Sequence, residues 1–129
     1  MKIKRNETFS GTPWEPQMGY ARAVQVGDVV HVSGTTGTDP SGKVLAPGDM
    51  YAQAVQTIRN IEGALQRLGL GLEHVVRTRI YVTQIDRWED VAKAHAEFFG
   101  QIHPASSLIG VARLIDPEML VEIDAEAVA

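Results

Sequence analysis

Apolar side chains at positions 51, 54, 55, 58, 61, 65 and 68 of "DMYAQAVQTIRNIEGALQRLGL" recur at i, i+3, i+4 spacing. That period predicts an amphipathic helix with one buried stripe. Asp49, behind Pro47-Gly48, suits its N-cap, and Gly69 suits the first residue past its end. A second helix is predicted over "DRWEDVAKAHAEFFG", opened by Asp86 and Glu89 as a capping-box variant and stopped by Gly100. Its buried side is expected to hold Trp88, Val91, Ala92, His95 and Phe98, with Phe99 beside them.

The other ordered segments alternate with period two. "YARAVQVGDVVHVSG" reads as two short strands joined near Gly27-Asp28, a hairpin signal. In "HVVRTRIYVT" (74–83), Val76, Thr78, Ile80 and Val82 share one face, and Val75, Arg77, Arg79 and Tyr81 the other. "SSLIGVARL" and "LVEIDAEAV" are two further strands separated by a turn at "IDPEM", and "KIKR" suits one more short strand. The order β(β)β–α–β–α–β–β predicts an α+β layer, two helices covering one face of a sheet. No internal repeat or low-complexity segment interrupts the single domain, residues 1–129.

The last strand divides its side chains sharply. Val121, Ile123, Ala125 and Ala127 suit the helix-covered face, so Glu122, Asp124 and Glu126 join Arg77, Arg79 and Tyr81 on the other. Ile109 and Val111, or Leu108 with its neighbours, must also lie there. A face that mixes carboxylates, arginines and aliphatics suits packing against other copies around polar pockets. It is also compatible with a solvated face laced by cross-strand ion pairs.

Composition removes several functions. Sixteen acidic against twelve basic residues, net −4, with no basic stripe, argue against a nucleic-acid footprint. There are no cysteines, hence no disulfide, thiol nucleophile or cysteine-held zinc, as suits a reducing, cytoplasmic setting. No apolar run is long enough to span a bilayer, and "MKIKRNETF" lacks the apolar segment of a signal peptide. "GTDPSGKV" imitates a phosphate loop, but Val44 stands where a magnesium-binding hydroxyl is required and no helix starts there. Asp39 to Gly42 is a turn sequence.

Four histidines, at 31, 74, 95 and 103, show no metal-ligand spacing, so no metal is expected. His95 lies on an apolar helical stripe, where a satisfied core histidine is the usual reading, and His31 alternates with Val30 and Val32 and is placed to line a cleft. Ser106 and Ser107 sit in no nucleophile elbow. Glu122 is the strongest single candidate for chemistry. Partly desolvated at an interface, its carboxyl would be tuned to exchange protons with water; paired with Arg77 or Arg79, it would be structural.

Assembled, three blocks resemble the Rid family of reactive-intermediate deaminases, also called the YjgF or L-PSP family. They are "GYARAVQVGDVVHVSGT", "QTIRNIEGALQRLGLGLEHVVRTRIYVTQIDRWEDV" and "HPASSLIGVARLIDPEMLVEIDAEAVA", nearly the whole chain. The resemblance implies a chorismate-mutase-like β-α-β-β-α-β fold and a homotrimer with small-molecule clefts between subunits. It further implies hydrolysis of enamines or imines without metal or cofactor. Active members carry Pro-Ala-Arg-Ser, whose arginine clamps a substrate carboxylate through two parallel charge-assisted bonds. This chain has Pro104, Ala105, Ser106 and Ser107 instead.

By the same resemblance, Glu122 matches the acid that positions water, Tyr20 the cleft tyrosine, and Ser33-Gly34 the cleft Ser-Gly pair. Ala92 replaces a helical asparagine, and Arg22 and Arg113 are the arginines that would have to substitute from nearby. The expected protein is therefore a deaminase-type hydrolase of an arginine-lacking branch, with Glu122 acting on water and Tyr20, Ser33, Gly34, Ser106 and Ser107 binding the ligand. A non-catalytic metabolite-binding or regulatory trimer is the alternative. Ribonuclease activity, a third possibility among relatives, fits poorly with the acidic balance.

Overall fold

A computed structural model describes residues 4–129. Six strands form one sheet: β1 (Arg5–Thr8), β2 (Ala23–Val26), β3 (Val29–Thr36), β4 (Val75–Val82), β5 (Ala105–Gly110) and β6 (Val121–Val128). Their order across the sheet is β1-β2-β3-β6-β4-β5, with only the β4–β5 pair parallel. The strand expected at "KIKR" lies partly outside the described residues; β1 begins at its last residue. Gly27 takes φ 60° at the first of two turn residues between β2 and β3, a conformation that glycine adopts without a Cβ penalty.

Helix α2 (Met50–Arg67) starts as its sequence requires, with Asp49 Oδ1 accepting from the Ala52 amide at 2.9 Å. Gly69 beyond its end takes φ 81°. Met50, Ala54, Ile58, Ile61 and Leu65 pack without solvent exposure against the face formed by Val30, Val121, Ile123 and Ala127. Gln53, buried at the same seam, donates to the carbonyls of Ala46 and Glu118 and accepts from the Leu120 amide, fastening the loop that leads into β6. The placement of β6 between β3 and β4 makes its alternation decisive: Val121, Ile123, Ala125 and Ala127 are all buried, while Glu122, Asp124 and Glu126 face the side away from α2.

Three local expectations change. Helix α3 (Trp88–Phe99) follows a 3-10 turn, Ile85–Arg87, and no side chain caps it, so Asp86 and Glu89 do not form a capping box. Its buried residues are Val91, Ala94 and Phe99; Trp88 is 49% exposed, and Ala92, His95 and Phe98 are only partly covered. The stripe is turned because α3 overhangs β5, the last strand of the sheet, leaving no further layer for Trp88. Finally, a bulge between Val75 and Arg77 puts Val75 in the core opposite Ala127 and Val76 in solvent, reversing the strict alternation at that end of β4. Thr78, Ile80 and Val82 keep their expected side.

A short helix that periodicity did not indicate, α1 (Trp14–Met18), precedes β2. It ends at Gly19 with φ 75°.

Candidate active site

The uncovered face is organised by its charges. Arg79 donates through Nη1 to Asp124 and through Nη2 to Glu126, both at 2.9 Å, and the Tyr81 hydroxyl donates to the other Asp124 oxygen at 3.0 Å. Glu122 is left outside this network, and no hydrogen bond reaches its carboxylate among the described residues. The ion-pair reading of Glu122 with Arg77 or Arg79 therefore does not hold. Burial, reinforced by the neighbouring negative charge of Asp124, raises its pKa above the ordinary glutamate value, while the positive charge of Arg22 pulls the other way.

The space beside Glu122 depends on a glycine. A bulge separates Val32 from Thr35 in the β3–β6 ladder, and Gly34 lies within it. A Cβ on Gly34 would stand 2.6 Å from Glu122 Oε2, inside contact distance, so the carboxyl group occupies the room glycine leaves. The Ser33 hydroxyl is engaged within the chain, donating to the Ala21 carbonyl at 2.7 Å.

Behind this bulge lies a fully buried ion pair. Glu15 in α1 accepts from the Ser10 amide and hydroxyl, the Thr12 hydroxyl, and Arg22 Nε and Nη2. Burial alone would raise its pKa, but the hydrogen bonds from Ser10, Thr12 and Arg22 outweigh that and lower it to about 2. The rest of the guanidinium reaches the site: Nη1 donates to the Gly34 carbonyl at 2.6 Å, and Nη2 lies 3.3 Å from the Tyr20 hydroxyl. Arg22 is thus committed to holding Tyr20 and Gly34 in place and is no free clamp for a ligand. Arg113 is exposed in the loop after β5.

Tyr20, Ser33, Gly34 and Glu122 consequently line one hollow of about 420 Å³. Trp14 and Met18 of α1 and Ile115 and Met119 of the β5–β6 loop complete its apolar walls. Ser106 and Ser107 are elsewhere in the same chain, in a hollow of about 330 Å³ between α3 and β5. His31 is exposed in register with Glu126 and lines neither hollow. Among the described residues no three histidine or acidic side chains are grouped to hold a metal.

Sequence reasoning missed the α1 wall and the Glu15–Arg22 pair. A signal was present: Thr12 and Glu15 stand at the S/T-x-x-E spacing of a helix start. The contributions of Ile115 and Met119 come from an irregular loop without periodicity and had no such marker.

A family model described as Endoribonuclease L-PSP matches residues 12–129. The chain belongs to the Rid, or YjgF/L-PSP, family. A crystal structure of Rv2704 from Mycobacterium tuberculosis, described as a member of the YjgF/YER057c/UK114 family, superposes with a TM-score of 0.88 at 45% identity, covering 98% of this chain and all of that one. An uncharacterized protein of Streptomyces coelicolor is 39% identical over 92% of this chain and 87% of its own length. The mouse 2-iminobutanoate/2-iminopropanoate deaminase is 32% identical over 84% of this chain and 80% of its own. The chorismate-mutase-like α+β fold of the Rid family is thus the fold described above.

Proposed function

We propose that this Rid-family chain hydrolyses a C=N bond, in an imine or the tautomer of an enamine, whose carbon skeleton bears no carboxylate at the family's usual position. The observation that carries the reading is Glu122: a half-buried carboxyl group without a hydrogen-bond partner, walling a hollow with Tyr20, Ser33 and Gly34. As a carboxylate it takes a proton from water while the oxygen adds to the carbon of the protonated imine, giving a neutral carbinolamine. As the acid it returns that proton to the departing nitrogen, and as the C–N bond breaks the hydroxyl proton passes to the regenerated carboxylate, releasing the amine and a carbonyl compound. A raised pKa brings the protonated form closer to neutral pH than it is for an ordinary glutamate. The mouse relative named for 2-imino acid deamination supports the reaction class.

The substrate departs from that relative's because Ser106 occupies the motif-arginine position. Loss of a bidentate guanidinium removes about 1.5–3 kcal/mol of charged hydrogen bonding to a carboxylate. Trp14, Met18, Ile115 and Met119 offer an apolar lining instead. The mixed open face supports closure of the hollow by further copies in a homotrimer. The acidic Asp124 and Glu126 on that face disfavour an RNA backbone.

Imines generated in situ by an amine oxidase, with carbonyl and ammonia release followed against buffer, test the reading. The Glu122→Gln variant is expected to lose on the order of a hundred-fold in rate. An unchanged rate in that variant removes Glu122 from the chemistry. The absent arginine also favours a second reading, a metabolite-binding trimer. In that case a ligand raises the melting temperature and is recovered intact.

A further inference from the structure

A hollow of about 120 Å³ lies between α2, the end of β3 and the segments around Thr12 and Asp39. A water molecule's share of the liquid is about 30 Å³, so the space holds about four waters or one tetrahedral oxyanion. Gly63 gives the hollow its depth. A Cβ there would meet only Arg67 Nη1 within 4 Å, at 3.7 Å, so the Arg67 guanidinium folds back along α2 over the bare backbone. Arg67 Nε donates to the Thr8 hydroxyl oxygen at 2.6 Å, which anchors the fork from β1. Its Nη1 and Nη2 make no hydrogen bond among the described residues.

One turn before Gly63, Asn60 donates to the carbonyls of Thr36 and Thr38, both at 2.9 Å. This places the chain leaving β3 about 4.5 Å along the helix axis from Gly63. Thr36 donates to the Thr38 hydroxyl at a long 3.4 Å, and Thr38, 6% exposed, has no acceptor for its own proton among the described residues. The charge of the lining is positive. Glu15 neutralises Arg22, and Asp39 spends Oδ1 on the Ser41 amide and hydroxyl and the Lys43 amide. Arg59, whose guanidinium lies 5.4 Å from the Phe98 ring centroid, and Arg67 pair with no carboxylate among the described residues.

We propose that this hollow binds a phosphate group, free or as the monoester end of a small metabolite, with the Arg67 fork on two of its oxygens and the Thr38 hydroxyl on a third. A carboxylate could take the fork but has no third oxygen for Thr38. An RNA phosphodiester carries a substituent on either side, for which the hollow has no room. The inference does not depend on Glu122, since only Trp14 and Thr36 are walls of both hollows.

Orthophosphate and methyl phosphate, titrated into the full-length protein at pH 7 and low salt, test the site by calorimetry and backbone-amide NMR. Saturable binding is expected with a dissociation constant of about a millimolar or tighter, with the largest amide shifts at Gly63 and Thr38. Tighter methyl phosphate identifies a monoester as the ligand, and tighter orthophosphate the free ion. Arg67→Gln is expected to weaken binding at least about ten-fold, and Arg67→Lys to regain only part of it, because an ammonium lacks the fork. Gly63→Leu fills the hollow without removing a charge. It is expected to abolish binding without lowering the melting temperature, since glycine is disfavoured inside a helix. Glu122→Gln is expected to bind both probes as the parent does, which keeps this test separate from that of the hydrolytic reading. No saturation by about ten millimolar, acetate or dimethyl phosphate binding as tightly as orthophosphate, or affinity unchanged in either Arg67→Gln or Gly63→Leu would overturn the proposal.

Discussion

Glu122 and Gly34 share one small volume, and each limits what the other can be. Adding a Cβ at Gly34 displaces the carboxyl group, because the new atom would fall 2.6 Å from Oε2. Gly34→Ala is therefore expected to cut turnover on the order of a hundred-fold, through misplacement by about an ångström, while leaving the urea midpoint near that of the parent. Glu122 itself predicts a pH effect. Burial and Asp124 raise its pKa, so the folded state holds this proton more tightly than the unfolded chain does. The stability this contributes is complete below the unfolded glutamate pKa and is lost as pH rises through the folded one. Glu122→Gln is accordingly expected to melt at a higher temperature than the parent near pH 7, the gap closing towards pH 4; a lower melting temperature at neutral pH would contradict it. The polarity of Glu122 was legible in the alternation of "LVEIDAEAV". Its freedom from Arg79 was not, since spacing alone cannot say which of three carboxylates an arginine will choose.

At the scale of elements, α1 is held by charge more than by length. Its five residues are too few to be stable alone, and Glu15 joins it to Ser10, Thr12 and Arg22. Glu15→Gln leaves the Arg22 guanidinium buried without its counter-ion, at an expected cost of about 3–5 kcal/mol in urea unfolding at pH 7. The carboxyl's pKa is lowered to about 2, so its contribution is present above the ordinary glutamate range and disappears as pH falls through about 2. The penalty of the variant should shrink over that interval. Helix α2 was legible down to its cap, because Asp49 and Gly69 use side-chain and backbone chemistry local to the sequence. Helix α3 was legible as a helix but not in its orientation: Trp88 reads as core until the sheet is known to end at β5. The bulge that exchanges Val75 and Val76 carries no marker in a segment of consecutive β-branched residues.

The whole molecule presents one covered and one open sheet face, and the candidate site residues are divided between two separate hollows. Tyr20, Ser33, Gly34 and Glu122 meet beside α1, whereas Ser106 and Ser107 lie beside α3. Family resemblance brought all six into one list, and periodicity could not have revealed the division. A homotrimer that sets one copy's open face on another's is expected to sediment at three times the chain mass. Ile109 is 44% exposed in register with Tyr81, so Ile109→Asp should dissociate it without unfolding the protomer. A monomeric parent would mean that no subunit cleft forms. Which C=N bond is cleaved is read from the ratio of kcat/KM for the imine of acetophenone to that for 2-imino-3-phenylpropanoate, with each imine generated enzymatically. A substrate without a carboxylate gives a ratio well above one, and both rates fall towards the uncatalysed value in Glu122→Gln. A ratio well below one, with the imino acid consumed at a rate dependent on Glu122, would contradict it.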